Sequence, residues 1–425
     1  MDKVEQVVDQ IYRQHFGKMV ATLLYCSRDI DPGTAEDIVQ DSFSEALIHW
    51  KKNGIPLNTN GWIYTVCRNK ALNKIKKDQR LRFTDRDAGF ETIEIRFSES
   101  LIEDYQLKLL FACANPALAP KTQVVITLKY VVNLKVEAIA NVLGMTIDGV
   151  DKLLVRARQK IKDESILFEE PSVEALRPRV PVVHKVIYLI FNEGYKSSSG
   201  KDIIRRELCE EALILNKALL DTDIGTKETA ALHALMLFNS ARFDSRFDAS
   251  GDLVELERQD RSLWNRNLIG LGEMYMAKSA DDHVCSYHIE ASIAYLHCMA
   301  PDFRSTNWDL IAKLYRRLLS GQHNPFVELN YAIALFYSGE RDEALRKLNE
   351  LQQHPYMNQY FLLNSALGKF YYIERDYSLS KNFFEKALTQ TQSAAEKKLI
   401  ERHILEVSEA MGFRSKEKEK KNGTQ

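Results

Sequence analysis

Two runs of periodic apolar residues, separated by a glycine, lie between Lys135 and Lys162. The first run has the spacing of one helix face and consists of Val136, Ile139, Ala140 and Leu143. Gly144 then suits the left-handed conformation that ends a helix, and Thr146 suits the N-cap of the next one. The second run forms the expected inner stripe of that next helix: Ile147, Val150, Leu154, Ala157 and Ile161. The pattern predicts a helix-turn-helix.

The outer face of the second helix is basic. Gly149, Lys152 and Arg156 lie together opposite the inner stripe, and residues 152–162 contain five basic residues and no acidic one. Such motifs enter a major groove with a second helix that has an exposed N-terminal half and a basic flank. The segment therefore indicates DNA binding. The alternative is an ordinary helical hairpin with a solvated cationic face.

A second basic helix is predicted upstream, over Trp62–Lys77. Its polar face has helical spacing and consists of Lys70, Asn73, Lys74 and Lys77. Arg68–Arg86 holds eight basic residues against two acidic ones, and Trp62 and Tyr64 stand at the start of the helix. Basic surfaces with aromatic neighbours are typical of nucleic-acid binding, so this helix strengthens that interpretation.

An amphipathic helix with a different outer face is predicted before it, over Ala35–Trp50. Its apolar stripe consists of Ala35, Ile38, Val39, Phe43, Ala46, Leu47 and Trp50. Asp37, Gln40 and Asp41 point away from this stripe. The loop that joins the two helices, Lys51–Gly61, contains Asn58 and Asn60.

These blocks resemble, in this order, the extracytoplasmic-function (ECF) sigma factors, which are bacterial promoter-specificity subunits of RNA polymerase. The likeness lies in AEDIVQDSF (Ala35–Phe43), GWIYTVCRNKALNKIKK (Gly61–Lys77), EAIANVLGM (Glu137–Met145) and VRARQKI (Val155–Ile161). Further segments resemble the ECF subgroup with a long C-terminal extension that contains tetratricopeptide-like repeats. They are PALAPKTQVVITLKYV (Pro116–Val131), YLIFNEGY (Tyr188–Tyr195), LCEEAL (Leu208–Leu213), ALMLFNSAR (Ala234–Arg242) and LERQDRSLWNRNLI (Leu256–Ile269).

The resemblance implies three binding surfaces. The surface for core RNA polymerase, on the clamp of its largest subunit, would consist of Asp37, Gln40 and Asp41. The surface for the minus-ten promoter element would consist of Asn58, Asn60, Lys70, Asn73, Lys74 and Lys77. Its loop amides, Asn58 and Asn60, would read an unstacked base, and its lysines would contact phosphate. The surface for the minus-thirty-five element would consist of Thr146, Gly149, Lys152 and Arg156. The polymerase performs the chemistry, so we expect no catalytic residue, no enzymatic activity and no cofactor.

The recognition helix departs from the family at two positions. Asp151 and Leu153 stand where related helices commonly carry Lys or Arg. Asp151 suits a cytosine amine as a hydrogen-bond acceptor, but its charge repels phosphate. We therefore expect poor DNA affinity from this domain alone, with specificity appearing when both domains are held on the polymerase at high effective concentration.

The C-terminal half contains a repeat with an offset of 34 residues, which is the tetratricopeptide period. Glu328-Leu329-Asn330 aligns with Leu362-Leu363-Asn364, and Phe336-Tyr337 aligns with Phe370-Tyr371. Two clear repeats are too few for a stable array, so we expect them to pack against the preceding helices. Such repeats are usually interaction surfaces, and a small-molecule or protein signal would act on this extension.

Together these patterns predict an all-α chain with two small helical sigma domains, the second carrying the helix-turn-helix, and a large helical, tetratricopeptide-like C-terminal domain. The expected parts are sigma domain two at 1–86, a linker at 87–104, sigma domain four at 105–165, a second linker at 166–180, the extension at 181–412 with repeats at about 326–390, and a charged tail at 413–425.

Composition fits a cytoplasmic protein. The formal net charge is −1, so the basic segments are a local feature and any nucleic-acid signal is local too. The six cysteines form no CxxC pair, as expected of reduced thiols in a cytosol. The start, MDKVEQVVDQ, lacks the apolar stretch of a signal peptide, and no apolar run is long enough to span a bilayer, so we expect no membrane partner.

Other chemistry is disfavoured. A zinc site could be assembled on paper from His283, Cys285, His288, His297 and Cys298, but the spacing fits no zinc pattern, so no metal is expected. Phe191–Gly200 suits either a ligand loop or a helix end with a surface loop. The rival function is a tetratricopeptide-type scaffold or ligand sensor that binds DNA without sigma activity. A stand-alone repressor would not need two basic elements and a clamp-like helix.

Overall fold

The computed structural model describes residues 2–27, 30–82, 95, 99–164, 172–196, 204–321 and 323–422. Within these ranges the chain is predominantly helical, with no strand besides an isolated antiparallel bridge between Phe247 and Leu253. The predicted all-α class is therefore confirmed. Most of the predicted linker at 87–104, much of the one at 166–180 and the last residues of the tail lie outside the described residues.

The chain forms two compact units, Met1–Thr229 and Ala230–Gln425. The helices of the first unit are α1 (Lys3–Cys26), α2 (Pro32–Asn53), α3 (Thr59–Arg82), α4 (Glu99–Cys113), α5 (Pro120–Tyr130), α6 (Val136–Leu143), α7 (Ile147–Asp163), α8 (Val173–Leu176), α9 (Val180–Tyr195) and α10 (Arg206–Leu220). Helix α11 (Lys227–Ser240) contains the border. The helices of the second unit are α12 (Arg266–Lys278), α13 (Ser286–Met299), α14 (Trp308–Gly321), α15 (Pro325–Ser338), α16 (Arg341–Leu351), α17 (Phe361–Ile373), α18 (Tyr377–Gln390) and α19 (Ala394–Asn422). Short 3-10 turns occur at Arg177–Arg179, Phe243–Ser245, Leu256–Arg258, Arg261–Leu263 and Met357–Gln359.

Helices α1, α2 and α3 pack together through their apolar stripes. Helix α2 begins at Pro32 because Asp31 caps it: the Asp31 carboxylate accepts the N–H groups of Gly33 and Thr34 at 2.9 and 3.2 Å. The buried members of its stripe are Ala35, Ile38, Val39, Phe43, Ala46 and Trp50. A large side chain buried in this way contributes ~2 kcal/mol, so the orientation of α2 is strongly determined.

The helices expected in sigma domain two contact those expected in sigma domain four. Helix α1 passes so close to the end of α5 that a Cβ placed on Gly17 would lie 2.2 Å from the carbonyl oxygen of Val131. Lys129 and Glu36 form a largely buried ion pair with an N–O distance of 2.5 Å. The two parts therefore share one core in this unit, and their predicted borders stay a prediction.

The first helices of the C-terminal extension also belong to this unit. Helix α9 packs on α4, α5 and α6, and α10 packs on α4 and α9. The side chains that α9 buries are Val180, Val183, Val186, Ile187, Ile190 and Phe191. Polar contacts support the packing, because the Arg179 guanidinium donates to the carbonyl oxygen of Phe111 at 2.9 Å and the Gln106 amide donates to Glu211 at 2.7 Å. The first two helices of the extension are therefore buried against helices expected in sigma domain four.

Two pairs of consecutive, packed helices occupy the predicted repeat region of the second unit: α15 with α16, and α17 with α18. Equivalent positions of the repeat are buried, as Leu329 and Leu363 show. Phe336 and Phe370 lie one repeat apart, and their rings stack with centroids 3.7 Å apart. The repeated apolar positions thus build one continuous core, while the tetratricopeptide-like assignment itself stays a prediction.

Candidate nucleic-acid interface

The polar face of α2 is exposed. Asp37, Gln40 and Asp41 all lie at the surface, opposite the buried stripe of the same helix. Gln40 also lines a groove of about 440 Å³ between α1 and α2, together with Glu5 and Asp9 of α1. The predicted polymerase-binding residues therefore stand beside a groove with an acidic rim, and the helix can present them without disturbing its core.

The loop between α2 and α3 has one feature that the sequence reasoning missed. Leu57 is fully exposed although it is apolar, and it directly precedes Asn58 in the loop. The available signal was an apolar residue directly before the predicted base-contacting Asn58. Exposed apolar side chains of this kind insert between bases in several DNA-binding proteins.

Asn58 has a structural task in addition to the predicted base contact. Its side-chain oxygen accepts the N–H of Gly61 at 2.8 Å, and its carbonyl oxygen accepts the N–H of Trp62 at 3.1 Å. Asn58 thereby caps α3, which begins at Thr59. The amide NH₂ of Asn58 remains the group suited to a base, and Asn60 lies half-buried nearby.

The basic face of α3 is exposed as the periodicity predicts. Asn73, Lys74 and Lys77 are exposed, and Lys70 is half-buried. Two of these lysines pair with carboxylates, Lys70 with Glu45 at 2.9 Å and Lys74 with Asp78 at 2.9 Å. Because exposed pairs of this kind contribute ~0–1 kcal/mol, phosphate groups can replace these partners at small cost.

The two aromatic residues at the start of α3 differ in environment. Tyr64 is buried, and its hydroxyl lies 2.7 Å from Nδ1 of His15. It belongs to the core, so the expectation that it contributes to a nucleic-acid surface is wrong. Trp62 is half-buried and packs edge-on against Trp50 with ring centroids 5.6 Å apart, which leaves part of its ring accessible.

The helix-turn-helix has the predicted joint. Gly144 adopts the left-handed conformation (φ 60°, ψ 42°), and the N–H of Met145 reaches back to the carbonyl oxygen of Ala140 at 2.8 Å. The hydroxyl of Thr146 then accepts the N–H of Gly149 at 3.1 Å and caps α7. This geometry fixes the angle at which α7 leaves α6.

Helix α7 presents the predicted recognition face. Thr146, Lys152 and Arg156 are exposed and Gly149 is half-buried, while Val150, Leu154, Ala157 and Ile161 are buried. Lys152 pairs with Asp148 at 2.7 Å on the surface. The inner stripe was predicted one residue too long, because Ile147 is 50% exposed at the first position of the helix. On the flank, Arg158 donates to the buried Tyr130 hydroxyl at 2.7 Å and ties α7 to α5.

Comparisons with known proteins agree with this arrangement. A family model described as sigma-70, region 4, matches residues 109–161, which include the helix-turn-helix. The chain is 25% identical to the RNA polymerase sigma factor YlaC of Bacillus subtilis (strain 168) over 162 residues, which are 36% of this chain and 90% of that protein. It is 28% identical to the probable ECF RNA polymerase sigma factor SigI of Mycobacterium tuberculosis (strain H37Rv) over 195 residues, 44% of this chain and 62% of that protein. The chain belongs to the ECF sigma factors.

The extension of this sigma factor also has relatives. An uncharacterized protein of Rhizobium meliloti (strain 1021) is 32% identical over 358 residues, which cover 82% of this chain and 84% of that protein. A family model described as a family of unknown function, DUF6596, matches residues 179–280. The predicted resemblance to ECF sigma factors with a long C-terminal extension is therefore confirmed. No solved structure matches this sigma factor.

The described part of the chain has neither a metal-ligand group nor a helix suited to span a membrane. No ligand set is formed there by the zinc candidates, which are His283, Cys285, His288, His297 and Cys298. The described part of the chain also contains no other group of three or more His, Cys, Asp or Glu side chains placed to hold a metal ion. Across the same described ranges, none of the helices has both the length and the apolar character needed to cross a membrane.

Proposed function

We propose that this sigma factor binds core RNA polymerase through the exposed face of α2 and directs transcription initiation at promoters with two recognition elements. The loop and basic face of α3 take the minus-ten element, and the outer face of α7 takes the minus-thirty-five element. The extension is required for this activity, since its first helices complete the core beneath the recognition domain.

One observation carries the proposal. In the first unit, α2, α3 and α7 each bury an apolar stripe and leave the predicted binding residues at the surface. Three exposed faces, one acidic and two basic, are thereby available at once on a single unit. An operator-binding repressor needs one basic face, whereas a factor that joins polymerase to DNA needs all three.

Core binding is tested by reversing charge on α2. Asp37→Arg with Asp41→Arg should abolish retention of core polymerase, since both residues lie off the buried stripe and the fold does not depend on them. Asp281→Arg with Asp282→Arg is a matched control, because it makes the same charge change at exposed positions of the second unit. Equal retention of polymerase by the α2 variant and the control would refute the assignment.

Promoter reading is tested on α7. Lys152→Ala with Arg156→Ala should change start-site choice in transcription with purified core polymerase and leave core binding intact. Each lost phosphate contact should also flatten the slope of log affinity against log salt by about one. Lys160→Ala with Lys162→Ala removes the same charge from exposed positions further along the helix, so it should alter the slope but leave start-site choice unchanged. Unchanged start sites in the first variant would show that another face reads the promoter.

The role of the extension is tested by two truncations. Ending the chain after Glu170 removes α9 and uncovers the surfaces of α4, α5 and α6 on which it packs. Losing the burial of Val183, Val186, Ile187 and Ile190 costs roughly 6–12 kcal/mol, comparable with the stability of a whole domain. Ending it after Thr229 retains the first unit. We expect the shorter chain to lose promoter-directed transcription and the longer one to keep its helical circular-dichroism signal and its core binding. Raised transcription by the shorter chain would instead show that the extension inhibits.

A further inference from the structure

Cys285 and His288 form a pair at the start of α13 that the sigma-factor function does not use. Cys285 occupies the N-cap position of this 14-residue helix and is half-buried. Its sulfur lies 3.0 Å from Nδ1 of His288, one helical turn further on. A thiol at a helix N-terminus beside an imidazole is the environment in which the thiolate form is favoured.

The hydrogen bonds of His288 determine which ring nitrogen carries the proton and which can act as a base toward the thiol. Nε2 lies 2.9 Å from the carbonyl oxygen of Ser279, which can only accept a hydrogen bond, so Nε2 carries the proton. Nδ1 accepts the backbone N–H of Cys285 at 3.2 Å, so its lone pair points toward Cys285. A nucleophile, a base and a group that orients the base are thus in sequence, which is the arrangement that activates a thiol.

The other cysteines whose environment is described in detail differ in this respect. Burial raises the pKa of Cys67 and of Cys113 to about 12, and it raises the pKa of Cys298 to about 11. Cys209 is buried too, and its thiol is directed at the carbonyl oxygen of Phe191 at 3.5 Å. Cys26 is half-buried and lies beside Tyr105, which makes it the best comparison for Cys285.

We propose that Cys285 is a reactive thiol that hydroperoxides oxidise to a sulfenic acid, with His288 as the base. The thiol proton passes to Nδ1 of His288, and the sulfur electron pair attacks one peroxide oxygen. The O–O bond breaks as the S–O bond forms, and the departing oxygen takes the proton from His288. Sulfur is oxidised by two electrons, the peroxide is reduced, and the products from hydrogen peroxide are one sulfenic acid and one water.

The Cys285–His288 pair lies at the start of a helix that packs in the core of the second unit. Helix α13 contributes Ile289 and Ile293 to the apolar cluster that also contains the stacked Phe336 and Phe370. An added oxygen on Cys285 must displace the contact with His288 that holds the first turn of α13. Asp281 and Asp282 precede the pair in the same loop, and their exposed charges oppose the thiolate. The proposal stands independently of the sigma-factor activity.

The test uses the full chain and the pH dependence of alkylation by iodoacetamide, read at each cysteine by mass spectrometry. An ordinary thiol loses reactivity roughly 150-fold between about pH 8.5 and pH 6, because its thiolate fraction falls by that factor. For Cys285 we expect a shallower loss, of about 10-fold, because a thiol that passes its proton to His288 keeps more of its reactive form at the lower pH. His288→Asn keeps an acceptor for the N–H of Cys285 but removes the base, so it should restore the steep dependence.

Hydrogen peroxide with a sulfenic-acid trap then identifies the oxidised residue. We expect the trap on Cys285, its loss in Cys285→Ser, and no change in Cys26→Ser. Cys67 and Cys113 serve as reporters of folding, because they become labelled only when the chain unfolds. A steep pH dependence at Cys285 that His288→Asn leaves unchanged would overturn the proposal. So would equal trapping at Cys26 and Cys285 in chains whose buried cysteines remain unlabelled.

Discussion

Glu211 provides a sharp test of the first unit, because its carboxyl group lies where α1, α4 and α10 meet. Its side chain accepts a hydrogen bond from Gln106 of α4 at 2.7 Å. Burial raises the pKa of Glu211 to about 7, against the smaller opposing effects of Gln106, Lys18 and Arg205. We therefore expect Glu211→Gln to stabilise the chain at neutral and alkaline pH.

The magnitude and its sign follow from proton linkage. In the unfolded chain Glu211 titrates near its ordinary value of 4.5. Between 4.5 and about 7 the folded chain holds a proton that the unfolded chain has released, so this group's contribution to stability falls as pH rises through that window. The full difference corresponds to roughly 3 kcal/mol. Because part of Glu211 is accessible to water, we expect about 1–3 kcal/mol for the substitution.

The assay is urea unfolding of the parent and the variant at about pH 5 and about pH 8, where linkage predicts a small and a large difference. Glu210→Gln is the matched control, since Glu210 is the adjacent residue on the same helix and is exposed. Hydrogen exchange in α4 and α10 locates the effect. A gain in stability that is equal at the two pH values, or that Glu210→Gln reproduces, would refute the assigned burial of Glu211.

Three further predictions concern the two cores and one buried histidine. Gly17→Ala should lower the free energy of unfolding by about 1–3 kcal/mol, because the new methyl group meets the carbonyl of Val131. Gly270→Ala, at an open helical position, should raise the free energy of unfolding by roughly 0.5–1 kcal/mol. Effects of the same sign in urea titrations would contradict the close approach of α1 and α5. Phe370→Ala should cost about 3–5 kcal/mol by the same measurement, since it removes a buried ring stacked on Phe336, and a cost near that of a surface substitution would contradict the stacking. Burial lowers the pKa of His184 from 6.5 to about 4, so the free energy of unfolding should decline as the pH falls from 6.5 to about 4. His184→Gln should flatten this decline in acid-unfolding curves. Parallel curves for the parent and the variant would show that His184 is hydrated.

Periodicity in the sequence was sufficient to locate the faces of the helices. Apolar spacing predicts α2, α6 and α7, and polar spacing predicts α3, each within a few residues of the observed ends. The predicted binding residues lie on the polar faces of these helices. The same reasoning failed at Ile147, because a spacing rule does not show that the first turn of a helix projects beyond its neighbour. It failed at Tyr64 too, since the hydrogen-bond partner, His15, lies far away in the sequence.

The packing partners of those faces could not be predicted from one sequence. Helix α9 is rich in apolar residues, but nothing in their spacing identifies α4, α5 and α6 as the surfaces on which they pack. The capping role of Asn58 was within reach, because Asn is a favoured N-cap and the loop ends there. Reading Asn58 as a base contact alone overlooked the competing demand of the helix end.

The close approach at Gly17 limits how the two sigma-type parts can move relative to one another. The carbonyl of Val131 packs against Gly17, and α1 offers no second glycine nearby. The positions one turn away on either side are Arg13 and Ala21, both of which carry a Cβ. Sliding along the helix would bring the carbonyl against a Cβ, as in Gly17→Ala, at a cost of about 1–3 kcal/mol, so a shear motion of the kind common between packed helices is disfavoured at this point. The carbonyl of Val131 meets less resistance when it moves away from α1 at right angles to the helix than when it moves along it. We therefore expect a rearrangement of these parts to be cooperative rather than gradual.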